Sequence, residues 1–299
     1  MKKFAKTLSL MTALIMLLAV LGACQQPEQT QGGGQASDQP QSAGNGRLDA
    51  IKERGYLTVC MEPSFAPMQF IDPSLEGDAQ YIGSDVEFAK YIAEKLGVEC
   101  RIVPLEFAAV LAGISDGKFD LAISALGYTP ARAEAMEMSD GYFFPRDDKG
   151  HGLLVRTDDL QSITGPDSTN GKVLVVQSGS LQEMFVTEQI DISALKELKY
   201  VSATPDAFLM VQEGKADVCA VSIPMAELYI ESNPDCGLAL VPNFQFTQTE
   251  ETAGTRIALP KGETALLDFI NEVVAEIREN GMYEKWYDEF VEYARNIGL

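Results

Sequence analysis

The sequence predicts an α/β protein made of two similar lobes. Strand-like and helix-like runs alternate along the 299 residues, and this order is typical of α/β domains. A short motif also occurs twice, as Gly117-Lys-Phe-Asp120 and as Gly214-Lys-Ala-Asp217. In both copies a helix-like run ends at the Gly, and an apolar strand follows the Asp and ends at a Ser. The copies are 97 positions apart, which is the scale of one compact α/β unit.

The individual elements are predicted from the spacing of apolar residues. Apolar residues from Asp85 to Leu96 share one helical face, and Gly97 is the type of residue that ends a helix. Continuous apolar runs without helical spacing predict buried strands. The predicted elements are strand 57–61, helix 85–96, helix 107–114, strand 119–125, strand 172–177, a helix-like stretch after residue 180, and strand 218–222.

The first 46 residues are predicted to be an export signal and a tether. Three Lys residues precede an uncharged apolar run from Leu8 to Leu21, which predicts a secretory signal peptide over residues 1–23. The Leu-Gly-Ala-Cys ending resembles a bacterial lipobox, in which Cys24 receives a lipid such as palmitate after cleavage. An N-terminal anchor helix with an incidental Cys is the alternative. Residues 24–46 are rich in Gln and Gly, which predicts a flexible tether.

The charge balance excludes several classes of partner and site. Asp and Glu outnumber Lys and Arg by 44 to 23, and the formal net charge is −21. Nucleic acids and anionic membrane surfaces bind clustered basic residues, so neither is expected as a main partner. A single His argues against a His-based zinc site and against a Ser/His/Asp triad. We expect no metal and no cofactor, and we interpret the acidic excess as surface charge that favours solubility.

The cysteines after the signal peptide are predicted to be buried thiols rather than disulfides. Cys60, Cys100, Cys219 and Cys236 are few and widely spaced, unlike the cysteines of a small disulfide-linked scaffold. Cys60 and Cys219 lie in apolar strand-like runs, where a free Cys behaves as a small hydrophobic residue.

The carboxyl ends of the predicted strands indicate a candidate site. Ligands of open α/β sheets bind beyond these ends, and two facing lobes would bring them to one cleft. At one of them Thr129 is placed to cap a helix, Pro130 takes its first position and Arg132 falls in its first turn. A cation opposes the helix dipole there unless an anion lies in front of it, so Arg132 is a candidate anion-binding residue. A solvated Arg on an ordinary capped helix is the alternative.

With these segments in view, the chain resembles the bacterial extracellular solute-binding proteins of polar amino-acid ABC transporters, solute-binding protein family 3. The resemblance extends from about Leu48 to Phe290. Its order and spacing along the chain make the resemblance specific. The matching segments are LTVCMEPSFAPMQF at 57–70, GSDVEFA at 83–89, GKFD at 117–120, LGYTPAR at 126–132, SDGY at 139–142, and residues 271–286 with GMY at 281–283.

The resemblance implies a type II periplasmic-binding-protein fold, in which two α/β lobes are joined by two hinge crossovers near 142–152 and 247–255. Lobe 1 would take residues 47–144 and 251–299, and lobe 2 would take residues 145–250. Closure of such lobes traps a small ligand, and the closed form is presented to an ABC permease in the membrane. The implied protein is a monomeric binding protein, not an enzyme. It would be lipid-anchored at the extracellular face of the cell membrane, or periplasmic in a Gram-negative cell.

The resemblance also implies roles for nine residues around the cleft. Arg132 would hold the carboxylate of an amino acid or a related small carboxylate. Phe65 and Phe107 would enclose the ligand's side chain, although core packing is the alternative for each. Glu62 would lie near the distal part of the ligand. The other implied contacts are the backbone N–H groups of Gly127, Ser180 and Leu181, the carbonyl of Ala125, and Ser222.

One position departs from the family pattern. The acid that usually binds the ligand's α-ammonium falls at Ser222, two residues before Pro224. A Ser accepts a hydrogen bond from an ammonium but cannot neutralise it, and an unpaired charge in a closed cleft is costly. Either another carboxylate such as Glu62 or Glu106 serves, or the ligand lacks a primary α-ammonium.

The charged segment 144–151 is long for a hinge strand. A solvated loop is the main interpretation, and a segment that overhangs the cleft is the alternative. His151, which lies between Gly150 and Gly152, is expected to be exposed and to bind nothing.

Two other functions are compatible with such a scaffold. Cyclohexadienyl dehydratases resemble these binding proteins, and Glu62 or Glu106 could supply the acid or base of such an enzyme. The predicted lipid anchor and tether favour capture for transport. A receptor sensor would require a second membrane span followed by a cytoplasmic domain, and neither is expected here.

Overall fold

The computed structural model describes residues 46–146 and 149–299 of the chain. The predicted signal peptide over residues 1–23 lies outside the described residues, as do Cys24 and the tether as far as residue 45. Within the described ranges, every helix is too short or too polar to cross a lipid bilayer.

Helices and strands alternate along most of the described chain. The first elements are α1 (Gly46–Arg54), β1 (Tyr56–Met61), β2 (Phe70–Ile71), β3 (Tyr81–Ile82), α2 (Ser84–Leu96), β4 (Glu99–Pro104), α3 (Phe107–Ser115), β5 (Leu121–Leu126), α4 (Pro130–Ala135) and β6 (Met136–Met138). The next are β7 (His151–Arg156), β8 (Val173–Gln177), α5 (Leu181–Gln189), β9 (Glu197–Val201), α6 (Thr204–Gln212), β10 (Val218–Ser222), α7 (Ile223–Ser232) and β11 (Leu238–Leu240). The last are β12 (Arg256–Pro260), α8 (Thr264–Asn280) and α9 (Met282–Ile297).

Two five-stranded sheets form the centres of two lobes. In the first lobe the strand order is β4-β1-β5-β12-β6, with β1 parallel to β4 and β5 and with β12 antiparallel to both of its neighbours. In the second lobe the order is β11-β7-β10-β8-β9, with β8 parallel to its neighbours and β7 antiparallel to its own. The predicted class, two α/β lobes, is confirmed.

Each sheet is covered by apolar side chains on both faces, because successive strand residues alternate between them. In β1, Val59 and Met61 join the core under α2, α8 and α9, whereas Cys60 joins a second core under α3. In β8, Leu174 faces the core under α5 and Val175 faces the core under α6 and α7. This double burial explains why the central strands are continuous apolar runs.

Two crossover segments connect the lobes. The chain leaves the first sheet after Met138, enters the second at His151 and returns between Leu240 and Arg256. The two crossovers are hydrogen-bonded to each other, because the Tyr142 N–H donates to the Thr255 carbonyl at 2.9 Å. The Thr255 N–H in turn donates to the carbonyl of residue 143 at 2.9 Å. The predicted pair of crossovers is present, and the exact lobe boundaries stay a prediction.

The sequence repeat has the same structural role in both lobes. The Asp120 carboxylate accepts from the Thr58 N–H of β1 at 2.7 Å, and the Asp217 carboxylate accepts from the Val173 N–H of β8 at 2.8 Å. Each Asp N–H also donates back to the carbonyl of the same strand residue, at 3.2 and 2.8 Å respectively. The repeated motif therefore ties the start of one strand to its parallel neighbour in each lobe.

A few details differ from the predicted elements. The strand predicted from residue 119 begins at Leu121, because Asp120 is used for the side-chain contact to β1. Gly97 ends α2 in the left-handed conformation, with φ of 70°, as predicted. The four cysteines of the described residues are free thiols, as predicted, although burial is complete only for Cys60 and Cys219.

The two Asp residues of the repeat differ in burial, and this predicts unequal effects on stability. The Asp120 side chain is fully buried between Arg47 and Arg54, so Asp120→Ala removes the carboxylate that both guanidinium groups share. We expect the free energy of unfolding to fall by about 3 kcal/mol. Asp217→Ala is expected to cost about 1 kcal/mol, since that side chain is 31% exposed and water can replace it. Urea unfolding measures both losses, and a larger loss at Asp217 would contradict the prediction.

Candidate functional site

One cavity of about 460 Å³ lies between the lobes. Strand ends from both sheets and both crossover segments surround it. All nine residues with implied ligand contacts line this cavity, although their roles stay predictions. They are Glu62, Phe65, Phe107, Ala125, Gly127, Arg132, Ser180, Leu181 and Ser222.

Arg132 occupies the position that its local sequence predicts. The Thr129 hydroxyl accepts from the Arg132 N–H at 3.1 Å, and Pro130 begins the short helix α4. The guanidinium is buried and crosses the cleft, because Nη1 donates to the Gly127 carbonyl at 2.6 Å and Nη2 donates to the Gly179 carbonyl at 2.8 Å. Gly127 belongs to the first lobe and Gly179 to the second. The interpretation of Arg132 as a solvated surface residue is therefore wrong.

The charge of Arg132 lacks a partner of opposite sign. Among the described residues, no carboxylate forms an ion pair with it. Burial lowers the pKa of Arg132 to about 10, so the guanidinium still carries its proton at neutral pH. The face of the Phe107 ring lies 5.6 Å away and contributes a weak cation–π contact. Two carbonyls use only part of the five donors of a guanidinium, so the group can also bind an anion.

The start of α5 faces Arg132 from the second lobe. The Ser180 hydroxyl caps the helix by accepting from the Glu183 N–H at 3.1 Å, and the Glu183 carboxylate accepts from the Gly179 N–H at 2.6 Å. The Ser180 N–H already donates to the Gln177 carbonyl at 3.3 Å. The resemblance implies ligand contacts for the N–H groups of Ser180 and Leu181. Of these two, only the Leu181 N–H has no backbone acceptor among the described residues, so it is open to a ligand.

Gly127 and Leu181 bring the lobes into contact beside Arg132. A Cβ atom built on Gly127 would lie 2.8 Å from Cδ2 of Leu181, which is closer than real Cβ contacts. The lack of a side chain at Gly127 therefore permits the close approach of the two lobes. Leu111 of the first lobe and Gly179 of the second lobe meet in the same way nearby.

Glu62 is the buried carboxylate of the cavity wall. Glu62 directly follows β1, an internal strand of the first sheet. Its N–H donates to the Ser124 hydroxyl at 3.0 Å. Its carboxylate accepts a hydrogen bond from the Ser64 hydroxyl. Burial raises the pKa of Glu62 to about 7, although hydrogen bonds from Ser64 and Gln177 lower it. Glu62 can therefore gain or lose a proton near neutral pH, and a nearby cation would favour its ionised form.

Glu106, the other carboxylate considered, does not belong to the cavity. Its side chain is exposed and lies outside the cavity lining. It follows β4, an edge strand, whereas Glu62 follows β1 between two neighbours. Of the two acids considered as alternatives, Glu62 is therefore the one in the cavity wall.

Ser222 lies beside uncharged groups. It pairs directly with His151 across β10 and β7, so both side chains lie on the same face of the sheet. The His151 ring lies 3.0 Å from the Gln182 amide nitrogen and packs near the Phe185 ring. Burial lowers the pKa of His151 to about 4, so it is neutral at physiological pH. Among the described residues, these neighbours of Ser222 add no negative charge.

The prediction that His151 is exposed was wrong. His151 is not exposed, because Phe185 and the start of α5 cover it, and it lines the cavity. Phe144, Pro145 and Lys149 of the same segment also border the cavity, while residues 147 and 148 lie outside the described residues. Parts of the segment therefore border the cleft, and whether it overhangs the cleft stays a prediction.

Sequence reasoning missed several other lining residues. Gln69 follows Phe65 by four positions in a matching segment, and its position after the β1 end could have indicated it. The second crossover contributes residues from Gln245 to Thr252, but it has no periodicity or motif that would predict a site. Those in the cavity lining include Gln69, Gln177, Gln182, Gln245, Gln248 and Thr252. Within the described ranges, no group of His, Cys, Asp and Glu is arranged to hold a metal ion.

Comparison with known proteins shows related chains. Residues 57–293 match the model of bacterial extracellular solute-binding proteins, family 3. The L-cystine-binding protein TcyJ of Escherichia coli is 26% identical over 250 residues, covering 82% of this chain and 87% of that protein. The arginine-binding extracellular protein ArtP of Bacillus subtilis is 28% identical over 211 residues, covering 70% of this chain and 77% of that protein.

Solved structures show the same similarity. The amino acid ABC transporter substrate-binding protein AbpA of Streptococcus pneumoniae, bound to L-arginine, has a TM-score of 0.72 at 27% identity, covering 82% of this chain and 98% of that one. The ancestral amino-acid-binding protein AncCDT-1, a precursor of cyclohexadienyl dehydratase, has a TM-score of 0.70 at 26% identity and covers 82% and 99%. The resemblance drawn from the sequence motifs is confirmed, and the chain belongs to the bacterial extracellular solute-binding proteins, family 3.

Proposed function

We propose that this protein captures an amino acid or a related small carboxylate between its two lobes and delivers it to an ABC permease. The observation that carries the proposal is the buried Arg132 guanidinium at the cleft, which has two carbonyl partners and no carboxylate among the described residues. A ligand carboxylate would supply the missing negative charge in a fork of charge-assisted hydrogen bonds. The open Leu181 N–H at the start of α5 would add a donor to the same anion.

The names of the relatives support an amino-acid ligand. TcyJ is named for L-cystine, ArtP for arginine, and AbpA was solved with L-arginine. These ligands share a carboxylate and at least one cationic group. Arg132 and Glu62 are the buried groups of opposite sign in the described cavity lining, and together they would match such a dipolar molecule.

Glu62, rather than an acid at Ser222, would neutralise the cationic group of the ligand. Glu62 is buried and lines the cavity, whereas Glu106 is exposed and lies outside the cavity lining. The hydrogen bond with Gln177 brings Glu62 to the end of β8, the strand next to Ser222 at the end of β10. This placement favours relocation of the counter-charge over a ligand without a primary α-ammonium.

Transport also requires a place at the membrane. The predicted signal peptide and the lipid on Cys24 would anchor the domain, and the tether would let it move near the permease. The bound form would act as a monomer at the extracellular face, or in the periplasm of a Gram-negative cell. Export in the presence of a labelled fatty acid, compared with Cys24→Ala, tests the anchor directly.

An enzyme on the same scaffold is the second candidate, and one specific observation keeps it in view. The similar protein AncCDT-1 is described as a precursor of cyclohexadienyl dehydratase. Glu62, with its pKa near 7, has the protonation behaviour of a general acid or base. Mass spectrometry of any bound compound after long incubation separates the two, because a binding protein returns its ligand unchanged.

Arg132 is expected to be indispensable for ligand binding. A thermal-shift screen over amino acids, betaines and simple carboxylates should show a rise in melting temperature of several degrees at saturation, because the ligand binds only the folded state. Arg132→Ala should abolish the shift. Arg101→Ala is the matched control, since Arg101 is exposed on β4 outside the cavity, and it should keep the full shift. An unchanged response in Arg132→Ala would contradict the proposed site.

Glu62 is expected to make the affinity for a cationic ligand depend on pH. The pKa of Glu62 is about 7 in the folded protein, so its ionised fraction rises as the pH increases through that value. The dissociation constant for L-arginine should therefore fall by about tenfold between about pH 5.5 and about pH 8.5, measured by calorimetry. Arginine keeps its guanidinium and carboxylate charges over this range.

Two variants isolate the contribution of Glu62. Glu62→Gln should remove the pH dependence and weaken binding at the higher pH. Glu106→Gln should retain both, because Glu106 is exposed and lies outside the cavity. An affinity in Glu62→Gln that still follows the parent pH profile would contradict the assignment.

Ser222 provides a test of where the cationic group lies. Ser222→Asp places an acid where the family pattern usually has one. Added to Glu62→Gln, it should recover part of the affinity for primary α-amino acids that Glu62→Gln loses. Ser222→Asn, which adds no charge, should not. The parent protein and this set of variants should bind primary α-amino acids better than the N-trimethylated forms of the same amino acids. The reverse ranking would indicate a ligand without a primary α-ammonium and would contradict the proposed binding of a primary α-ammonium.

A further inference from the structure

Asp85 is a buried carboxylate outside the cavity that holds a residue of the cavity wall. It lies in the first turn of α2 and is fully buried. Its Oδ2 accepts from the Ala125 N–H at 2.9 Å, while its Oδ1 accepts from the hydroxyls of Tyr142 at 2.8 Å and Tyr283 at 2.6 Å. No cation of the described residues pairs with it. Three donors and the positive end of the α2 dipole therefore stabilise its charge.

Ala125 has a backbone conformation that requires such support. Its φ is 51°, in the left-handed region that is disfavoured for a residue with a Cβ. The strand pairing is also irregular here, because Leu126 faces Arg256 while Ala122 faces Ala258. Residues 123–125 of β5 thus face a single residue of β12, which defines a bulge. The Ala125 N–H leaves the strand ladder and is accepted by Asp85.

The bulge shapes the wall of the ligand cavity. Ser124, Ala125 and Gly127 all line the cavity. The same segment continues to Thr129, which caps the helix that carries Arg132. A β-bulge turns side chains and peptide groups away from the regular strand directions. The orientation of this wall therefore depends on the hydrogen bond between Asp85 and the Ala125 N–H.

The same carboxylate also connects the wall to the hinge region. Tyr142 belongs to the first crossover, and its N–H donates to the Thr255 carbonyl of the second crossover. Tyr283 belongs to α9, and its hydroxyl also accepts from the Ser84 hydroxyl at 2.9 Å. Displacement of Asp85 would thus disturb the cavity wall and the crossover together.

We propose that Asp85 is a positioning residue for ligand binding, which holds the Ala125 bulge in its binding shape and links it to the first crossover. The proposal rests on the proposed capture of a ligand in this cavity. An Asp85 that served only stability would lower the melting temperature of the protein without changing the affinity of the folded form.

Calorimetry with the full chain tests the proposal, with L-arginine, L-cystine and the other common L-amino acids as probes. Asp85→Ala should weaken the binding of each probe by about tenfold or more, because the bulge N–H loses its acceptor. Asp85→Asn keeps an oxygen that can accept from the Ala125 N–H, so its affinity should stay within about threefold of the parent.

Tyr283→Phe is the matched control for stability. It removes a buried hydroxyl from the same carboxylate but leaves the contact with the Ala125 N–H intact. It should lower the melting temperature and leave the dissociation constant within about twofold. Parent-like affinity in Asp85→Ala would overturn the proposal, as would a loss in Tyr283→Phe equal to that in Asp85→Ala.

A rescue experiment separates positioning from general damage. Ala125→Gly removes the Cβ that disfavours positive φ, so the bulge can keep its shape with less support. In this background, Asp85→Ala should lose clearly less affinity than in the parent chain. An equal loss in both backgrounds would show that Asp85 does not act through Ala125.

Amide hydrogen exchange gives a readout that needs neither a ligand nor a variant. In the unliganded parent chain, the Ala125 amide should exchange about as slowly as its neighbours in β5, because Asp85 protects it. Fast exchange at Ala125 would overturn the proposal even if Asp85→Ala does not fold. If no probe binds the parent chain, the proposed function fails, and the exchange data still decide whether Asp85 holds the bulge.

Discussion

The solvation of one buried guanidinium connects the architecture of this protein to its action. Removal of a cation from water is costly unless hydrogen bonds and an opposite charge replace the lost solvent. Around Arg132 the two lobes each supply one carbonyl, from Gly127 and Gly179. These bonds can form only when the lobes are together, and they leave the charge itself unbalanced. In the proposed function, closure and the binding of an anion would therefore be thermodynamically linked, since each would make the other less costly.

The lobes are suited to this coupling of closure and binding because each lobe is internally rigid, whereas two crossover segments connect the lobes. The repeated Asp motif fastens neighbouring parallel strands in each lobe through Asp120 and Asp217. The contacts between the lobes at the cleft involve small or single groups, such as Gly127 against Leu181. Helix α9 of the C-terminal region also contacts the second lobe, because Arg295 of α9 pairs with Glu231 of α7. Rotation of rigid lobes about the two crossovers is the motion that such a design favours.

The sequence predicted the features that depend on local chemistry. The Thr129-Pro130 cap identified Arg132, and the repeated motif identified two lobes, because both depend on neighbouring residues. It could not separate Glu62 from Glu106, since both follow strand-like runs. Only the sheet order shows that Glu62 follows an internal strand and Glu106 an edge strand. It also misjudged His151, whose burial depends on contact with Phe185 from a distant helix.

The acidic excess of the chain and the charge of its cavity have different physical meanings. The formal net charge of the chain is −21, and water and salt screen the charged side chains that are exposed among the described residues. In the described cavity lining, by contrast, Arg132 and Glu62 are buried and their charges act at low dielectric. In the proposed function, two buried groups of opposite sign in one small cavity would favour a molecule that carries a matching dipole. In the proposed function, the acidic surface would favour solubility, whereas these two buried residues would select the ligand.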